Sequence, residues 1–231
     1  MAEKIRDDID AIVNLSGGLE CAAALWYAVA KGYKPVALHL YNKEGWGNVA
    51  DAQLAAAQEQ ADHMGIRLLV DEANMPQQSR KNNYPVLQHL SAISTLMVGN
   101  PFVRFKSIIW GANSDDSFRQ RLQLKFPFRA IACGWSQTLD PHGIKPHHII
   151  KLPTNVFPFE WMQKSELVAM LLKAEPKLLE MVWSCTGELD LMSNDKYLPC
   201  GKCDKCIELT YAKKVAWKSV HKVQEGSFQD V

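Results

Sequence analysis

Ile9-Asp10-Ala11-Ile12-Val13-Asn14-Leu15-Ser16-Gly17-Gly18-Leu19-Glu20-Cys21-Ala22-Ala23-Ala24-Leu25 decides the fold. Ile9 to Leu15 is a short apolar run rich in β-branched residues, the composition of a buried strand. Glu20 to Lys31 is an alanine-rich helical segment ended by Gly32. Strand, tight Ser-Gly-Gly loop and helix thus follow one another. The alternation continues with strands at Pro35 to Tyr41, Ile66 to Val70, Ser107 to Trp110 and His147 to Leu152. Helical patterns lie at Val49 to Met64, Gln88 to Val98, Phe118 to Trp135 and Gln163 to Ala174. Repeated βα units imply an α/β fold, a parallel five-stranded sheet with helices on both faces. The sheet pattern stops near Glu180, which divides the sequence into an α/β domain at 1–180 and a cysteine-bearing segment at 181–231.

Ligands of such sheets bind beyond the carboxyl ends of the strands, where strand order switches. The Ser16-Gly17-Gly18 turn falls at the end of the first strand, so backbone N–H groups and the positive end of the following helix converge on a place suited to an anion. Paired glycines permit positive φ and close approach of a ligand. The stretch matches neither the Gly-x-x-x-x-Gly-Lys-Ser/Thr loop nor Gly-x-Gly-x-x-Gly. On spacing alone, a plain tight turn explains it equally well.

Cys185, Cys200, Cys203 and Cys206 form a second motif, Cys-x14-Cys-Gly-Lys-Cys-Asp-Lys-Cys. Three thiols two residues apart curl around an ion, and the fourth closes the site from the far end of a loop. The spacing suits one structural zinc, with an iron–sulfur cluster or unbound thiols as alternatives. Four thiolates leave no open position for chemistry, so reaction is sought at the first motif. Met1 to Ile12 is charged and lacks the apolar core of a secretory signal. No apolar stretch approaches membrane-spanning length, and a cytoplasmic protein is expected. With 47% hydrophobic residues and a formal net charge of +1, the chain lacks the basic excess of a phosphate-backbone binder, so small-molecule chemistry without direct nucleic-acid binding is expected.

Ser16-Gly17-Gly18-Leu19-Glu20-Cys21 resembles the Ser-Gly-Gly-x-Asp-Ser loop of the PP-loop ATP pyrophosphatases, which cleave ATP between its α and β phosphates. Taken with Cys185 and Cys200-Gly201-Lys202-Cys203-Asp204-Lys205-Cys206, the sequence from Ile9 to Lys214 resembles the 7-cyano-7-deazaguanine synthase family. That resemblance implies a sheet of adenine-nucleotide hydrolase type, ATP with Mg2+, a structural Zn2+ and a homodimer. It implies adenylation of 7-carboxy-7-deazaguanine, displacement of AMP by ammonia to give an amide, and activation of that amide so that a nitrile is eliminated. The ATP-binding set is then Ser16, Gly17, Gly18, Leu19, Glu20, Cys21 and Gly111. Lys164 and Asp115 are the candidate catalytic residues, and Asp115 and Ser117 the candidate substrate contacts.

The chain departs from that family at several places. The loop carboxylate is Glu20, one methylene longer than Asp, and Cys21 replaces Ser, a better N-cap and phosphate donor. After Gly111, the family's Tyr-Pro-Asp-Cys-Arg stretch is absent. Adenylation followed by joining to another amine, and a non-catalytic nucleotide-binding role, are the alternatives these departures open.

Overall fold

A computed structural model describes residues 8–72, 93, 105–114, 153–187 and 197–226, with side chains to residue 220. Its strands are β1 (Ala11–Asn14), β2 (Pro35–Tyr41), β3 (Leu68–Glu72), β4 (Ser107–Ile109) and β5 (Thr154–Val156). They form one parallel sheet in the order β3-β2-β1-β4-β5. The described helices are α1 (Leu19–Ala30), α2 (Lys43–Trp46), α3 (Asn48–His63), α4 (Lys164–Ala174), α5 (Pro176–Glu180) and α6 (Asp204–Gly226). β1 therefore lies between β2 and β4, and the chain turns outward in opposite directions on its two sides. That is the switch in strand order expected at the Ser-Gly-Gly turn.

The two-residue period of the strands sorts side chains to the two faces. Ile12, Val36, Leu38, Ile108 and Trp110 share one face with Phe105 and Ile93. Ala11, Val13, Ala37 and Ile109 share the other, beneath Ala24, Leu25 and Ala28 of α1 and Ala57 and Ala61 of α3. Alanines on both sides of that contact let the helices approach the sheet closely. A third cluster joins Leu19, Ala22 and Ala23 of α1 to Leu167, Val168 and Leu171 of α4, and to Ala212 and Ala216 of α6. The cysteine-bearing end of the sequence thus packs through α6 on the helices of the sheet.

Several element ends have identifiable causes. Gln163 and Glu166 form a reciprocal capping box that starts α4, one residue inside the helix expected from Gln163. The third strand starts at Leu68 rather than Ile66 because the Ile66 N–H is spent on Ala61 O, closing α3. The strand expected at His147 to Leu152 and the helix expected at Phe118 to Trp135 lie outside the described residues, as does all of Gln88 to Val98 except Ile93. The fifth described strand is Thr154–Val156.

His39, on β2, is 2% exposed and its Nδ1 lies 2.8 Å from Leu15 O. Nδ1–H is the donor, which fixes the neutral tautomer. Burial pushes the imidazole below its ordinary value, with the Leu15 bond opposing weakly. The unfolded chain therefore binds a proton near pH 6.5 that the folded chain refuses, so folding stability is intact above that value and falls as pH drops below it. Urea unfolding at pH 7.5, 6.5 and 5.5 should show this loss, and His39→Leu, though less stable throughout, should show a flatter dependence over the same window. Equal slopes for the two proteins would refute the buried neutral histidine.

Candidate functional site

The loop between β1 and α1 is built on α3. Gly17 has φ +82°, and a Cβ there would stand 2.8 Å from Gln53 O, 3.1 Å from Ala56 Cβ and 3.3 Å from Ala57 N. Only glycine fits this approach, whatever ligand the loop receives. Gly18 is different: at φ −75°, ψ 169° it is the extended N-cap of α1. Its nearest neighbours would meet a Cβ at 3.4 to 3.9 Å. The first-turn N–H groups that follow have no acceptor within the helix, and the helix end carries partial positive charge. Ser16 Oγ accepts from Gly18 N at 3.4 Å and donates to Cys21 Sγ at 3.2 Å.

Gly111, just beyond β4, is required by a second close approach. A Cβ would lie 2.5 Å from the carbonyl carbon and oxygen of Glu20. The β4 exit therefore runs against the first turn of α1. Two residues on, fully buried Asn113 donates Nδ2 to Glu20 Oε1 at 3.1 Å. Lys164 opens α4 and brings Nζ to 3.4 Å from Glu20 Oε1. Glu208 of α6 is a further partner. Burial works against the Lys164 charge, but the Glu208 hydrogen bond and the Glu20 carboxylate outweigh it and hold the ammonium above its ordinary value. Ser16, Gly17, Gly18, Leu19, Glu20, Cys21, Gly111 and Lys164 thus converge at the carboxyl end of β1 and β4. Asp115 and Ser117 lie outside the described residues.

The four cysteines also come together. All four Sγ atoms lie within 4.8 Å of one another, with Cys200 to Cys206 at 4.0 Å and Cys203 to Cys185 at 3.9 Å. A tetrahedron with metal–sulfur bonds of about 2.3 Å has edges of about 3.8 Å. The set therefore has the size of a single four-coordinate ion; a four-iron cube, whose thiolates bind different irons, would hold them farther apart. Gly187 makes room, since a Cβ there would stand 2.7 Å from Cys200 Sγ. The four thiols are not alike: burial opposes ionisation throughout, yet the amides of Thr186 and Cys206 bring Cys203 down to about 6, whereas burial pushes Cys185 up and Cys206 up to about 12.

Sequence reasoning passes over Gln60, Asn113, Trp183, Gly187 and Glu208. Gln60 alone carried a legible signal: a carboxamide on the stripe Val49, Ala52, Ala56, Ala57 that faces the core. The other four are defined by partners distant in sequence.

No protein-family model matches the chain, and no curated protein matches it. Among solved structures it is similar to NMN synthetase from Francisella tularensis, at 15% identity and TM-score 0.45 over 74% of this chain and 64% of that one. It is similar to a U34-tRNA thiolase from Methanococcus maripaludis with its 4Fe-4S cluster, at 14% identity and TM-score 0.46 over 97% and 68% of the two chains. A 4-thiouridine synthetase in complex with RNA and bound ATP gives 12% identity and TM-score 0.48 over 96% and 53%. The chain spans 53% to 68% of the length of these structures. No helix among the described residues is long and apolar enough to cross a membrane.

The two glycines should respond oppositely to a single methyl. Gly17→Ala combines left-handed strain with a clash against α3 backbone and should cost at least about 2 kcal/mol. Gly18→Ala meets only ordinary contacts and should cost about 1 kcal/mol or less. Chemical denaturation measures both; equal costs would contradict the packing of Gly17 on α3.

Proposed function

We propose that the chain is an ATP-dependent adenylating enzyme of the PP-loop class, with ATP phosphates on the main-chain N–H groups of Gly17, Gly18 and Leu19. The observation that carries this reading is the Ser16-Gly17-Gly18 turn opening α1 at the switch in strand order, with Lys164 beside the same helix end. Backbone donors and a helix terminus supply fixed positive potential where pyrophosphate charge develops, and the half-buried Lys164 ammonium, paired with Glu20 and Glu208, stands beside them. Mg2+ bound to the nucleotide would offset the remainder. The class of chemistry is attack of a carboxylate on the α phosphate, breaking the α–β bond and releasing pyrophosphate.

Within that class the particular reading is a 7-cyano-7-deazaguanine synthase or a divergent relative. Two features support it: the pairing of this loop with a four-cysteine site near the other end of the chain, and the fit of that site to one structural ion. Zn2+ is the ion proposed, held by Cys185, Cys200, Cys203 and Cys206, where it would fix the local fold rather than take part in the reaction. The substrate is 7-carboxy-7-deazaguanine: ammonia displaces AMP from its adenylate to give the amide. A second ATP activates the amide oxygen, which departs with AMP as the nitrile forms, with Asp115 and Ser117 as proposed substrate contacts. The proposed setting is a cytoplasmic homodimer without membrane or nucleic-acid partners. A second reading, joining of the adenylate to a different amine, is favoured by the absence of the Tyr-Pro-Asp-Cys-Arg stretch after Gly111.

Pyrophosphate release from ATP and Mg2+ should depend on 7-carboxy-7-deazaguanine, and product mass with ammonium should show the nitrile. ATP consumption with the adenylate formed but no nitrile would turn the assignment to the second reading. No acid-dependent pyrophosphate would overturn both. Lys164→Met should lower the rate of pyrophosphate release about a hundredfold while leaving metal content unchanged.

Purified protein should carry one zinc per chain. Cys203→Ser should lose it and lower the melting temperature by roughly 5–10 °C, because metal binding and local folding are coupled. Elemental analysis that finds iron, or no metal, would refute the zinc assignment.

A further inference from the structure

The two motifs, separated by 164 positions from Cys21 to Cys185, meet at one carbonyl. Gly17 O accepts Trp183 N at 2.9 Å and Gln60 Nε2 at 2.8 Å, so both of its lone pairs are engaged. Gln60 is fully buried, and the same Nε2 also donates to Met181 O at 3.2 Å. Trp183 is two residues before Cys185, and its indole Nε1 donates to Cys185 O at 3.1 Å. The arm that delivers the first cysteine is thus bonded at one end to the metal site and at the other to the loop. Cys185 and Cys206 pack on Val49 and Ala52 of α3, and Tyr197, just before Cys200, donates to Asp51 at 3.1 Å. One helix carries both sites.

This arrangement has a directional consequence. The peptide joining Gly17 to Gly18 is planar and trans, so its C=O and N–H point in opposite directions. Two donors pulling the carbonyl toward α3 and the arm turn the Gly18 N–H toward Ser16 Oγ, into the concavity of the loop. Gly17 itself imposes no preference strong enough to do this, since glycine samples both signs of φ readily. The orientation of the Gly18 N–H, one donor of the proposed phosphate site, is therefore held by residues outside the loop.

We propose that Gln60 and Trp183 form a latch through which metal at the four cysteines sets the Gly17–Gly18 peptide, making Gln60 a positioning residue of the phosphate site. This rests on the adenylation reading for its functional meaning. The latch itself is physical: with the cysteines gathered by an ion, the Met181–Trp183 arm is fixed and Gly17 O keeps both donors. With the ion removed, the arm loosens, the carbonyl loses Trp183, and the peptide is free to rotate.

Amide hydrogen exchange of the full-length, metal-loaded chain tests this, read over residues 16–21 and 181–187 without nucleotide. Gln60→Met should retain one metal per chain yet exchange about tenfold faster in the loop, the scale of one buried hydrogen bond. Affinity for ATP with Mg2+, by calorimetry, should weaken by a similar factor. Removing the metal from the unsubstituted chain should accelerate loop exchange about as much, and should add less than twofold in Gln60→Met. Unchanged loop exchange in the variant, or equal effects of metal removal in both proteins, would overturn the latch. If Gln60→Met does not fold, Trp183→Phe decides: it removes the indole bond to Cys185 O while keeping an aromatic ring, and unaltered loop exchange would again overturn the proposal. A chain that binds no ATP refutes the adenylation reading separately, because exchange is measured without it.

Discussion

The close approach of Gly17 to α3 is the contact on which the rest of the site depends. A glycine at positive φ, less than a methyl's breadth from the backbone of Gln53, places the loop against the helix and leaves its carbonyl within reach of Gln60. Everything that follows in the chain inherits that placement: the start of α1 at Leu19, the position of Glu20, and the docking of the Gly111 turn on the first helical turn. A larger residue at position 17 would move the loop off α3 before it touched any ligand. The glycine pair therefore divides its work, Gly17 toward packing and Gly18 toward the open side.

Its alanine content suits α3 for this task. Val49, Ala52, Ala56 and Gln60 recur at three- and four-residue intervals and, with Ala57, lie along one buried stripe. Val49 and Ala52 support the cysteine cluster, Ala56 and Ala57 lie beneath Gly17, and Gln60 bonds the loop and the arm together. A buried carboxamide costs free energy unless its donors and acceptors are used. Gln60 spends its nitrogen on two main-chain carbonyls, a fixed hydrogen-bonded geometry that an apolar residue of similar size could not give, while its buried Oε1 has no partner among the described residues and carries that cost.

Charge at the site is organised around Lys164. Glu20 and Glu208 approach its ammonium from different elements, α1 and α6; Lys164 and Glu20 are half-buried, whereas Glu208 is exposed. The Glu20 pair is therefore screened less by solvent than the Glu208 pair. The extra methylene of Glu20, relative to an aspartate in the same loop position, is taken up by reaching toward Asn113 and Lys164. The longer side chain is thus accommodated by a defined set of partners, which accounts for its place in a loop whose glycines remain.

The strand–loop–helix unit, the parallel sheet and the four-cysteine set were legible in the sequence because each is written locally. Apolar runs, alanine periodicity, a Gly-Gly turn and two-residue cysteine spacing all act within a few residues of one another. The switch in strand order at β1 followed from the βα alternation. Lys164 was legible only through resemblance, since by spacing alone a lysine on the first turn of a helix reads more readily as solvated. What the tertiary structure decided is which distant groups meet. Asn113 and Lys164 gather on Glu20, and Gln60, Trp183 and Met181 gather on Gly17 and on one another. Hydrogen-bond partners separated by many tens of residues leave no periodic trace, because their geometry is set by the crossing of α3, the sheet edge and the cysteine arm. The sequence alone specified two motifs; packing on a shared helix made them one connected structure.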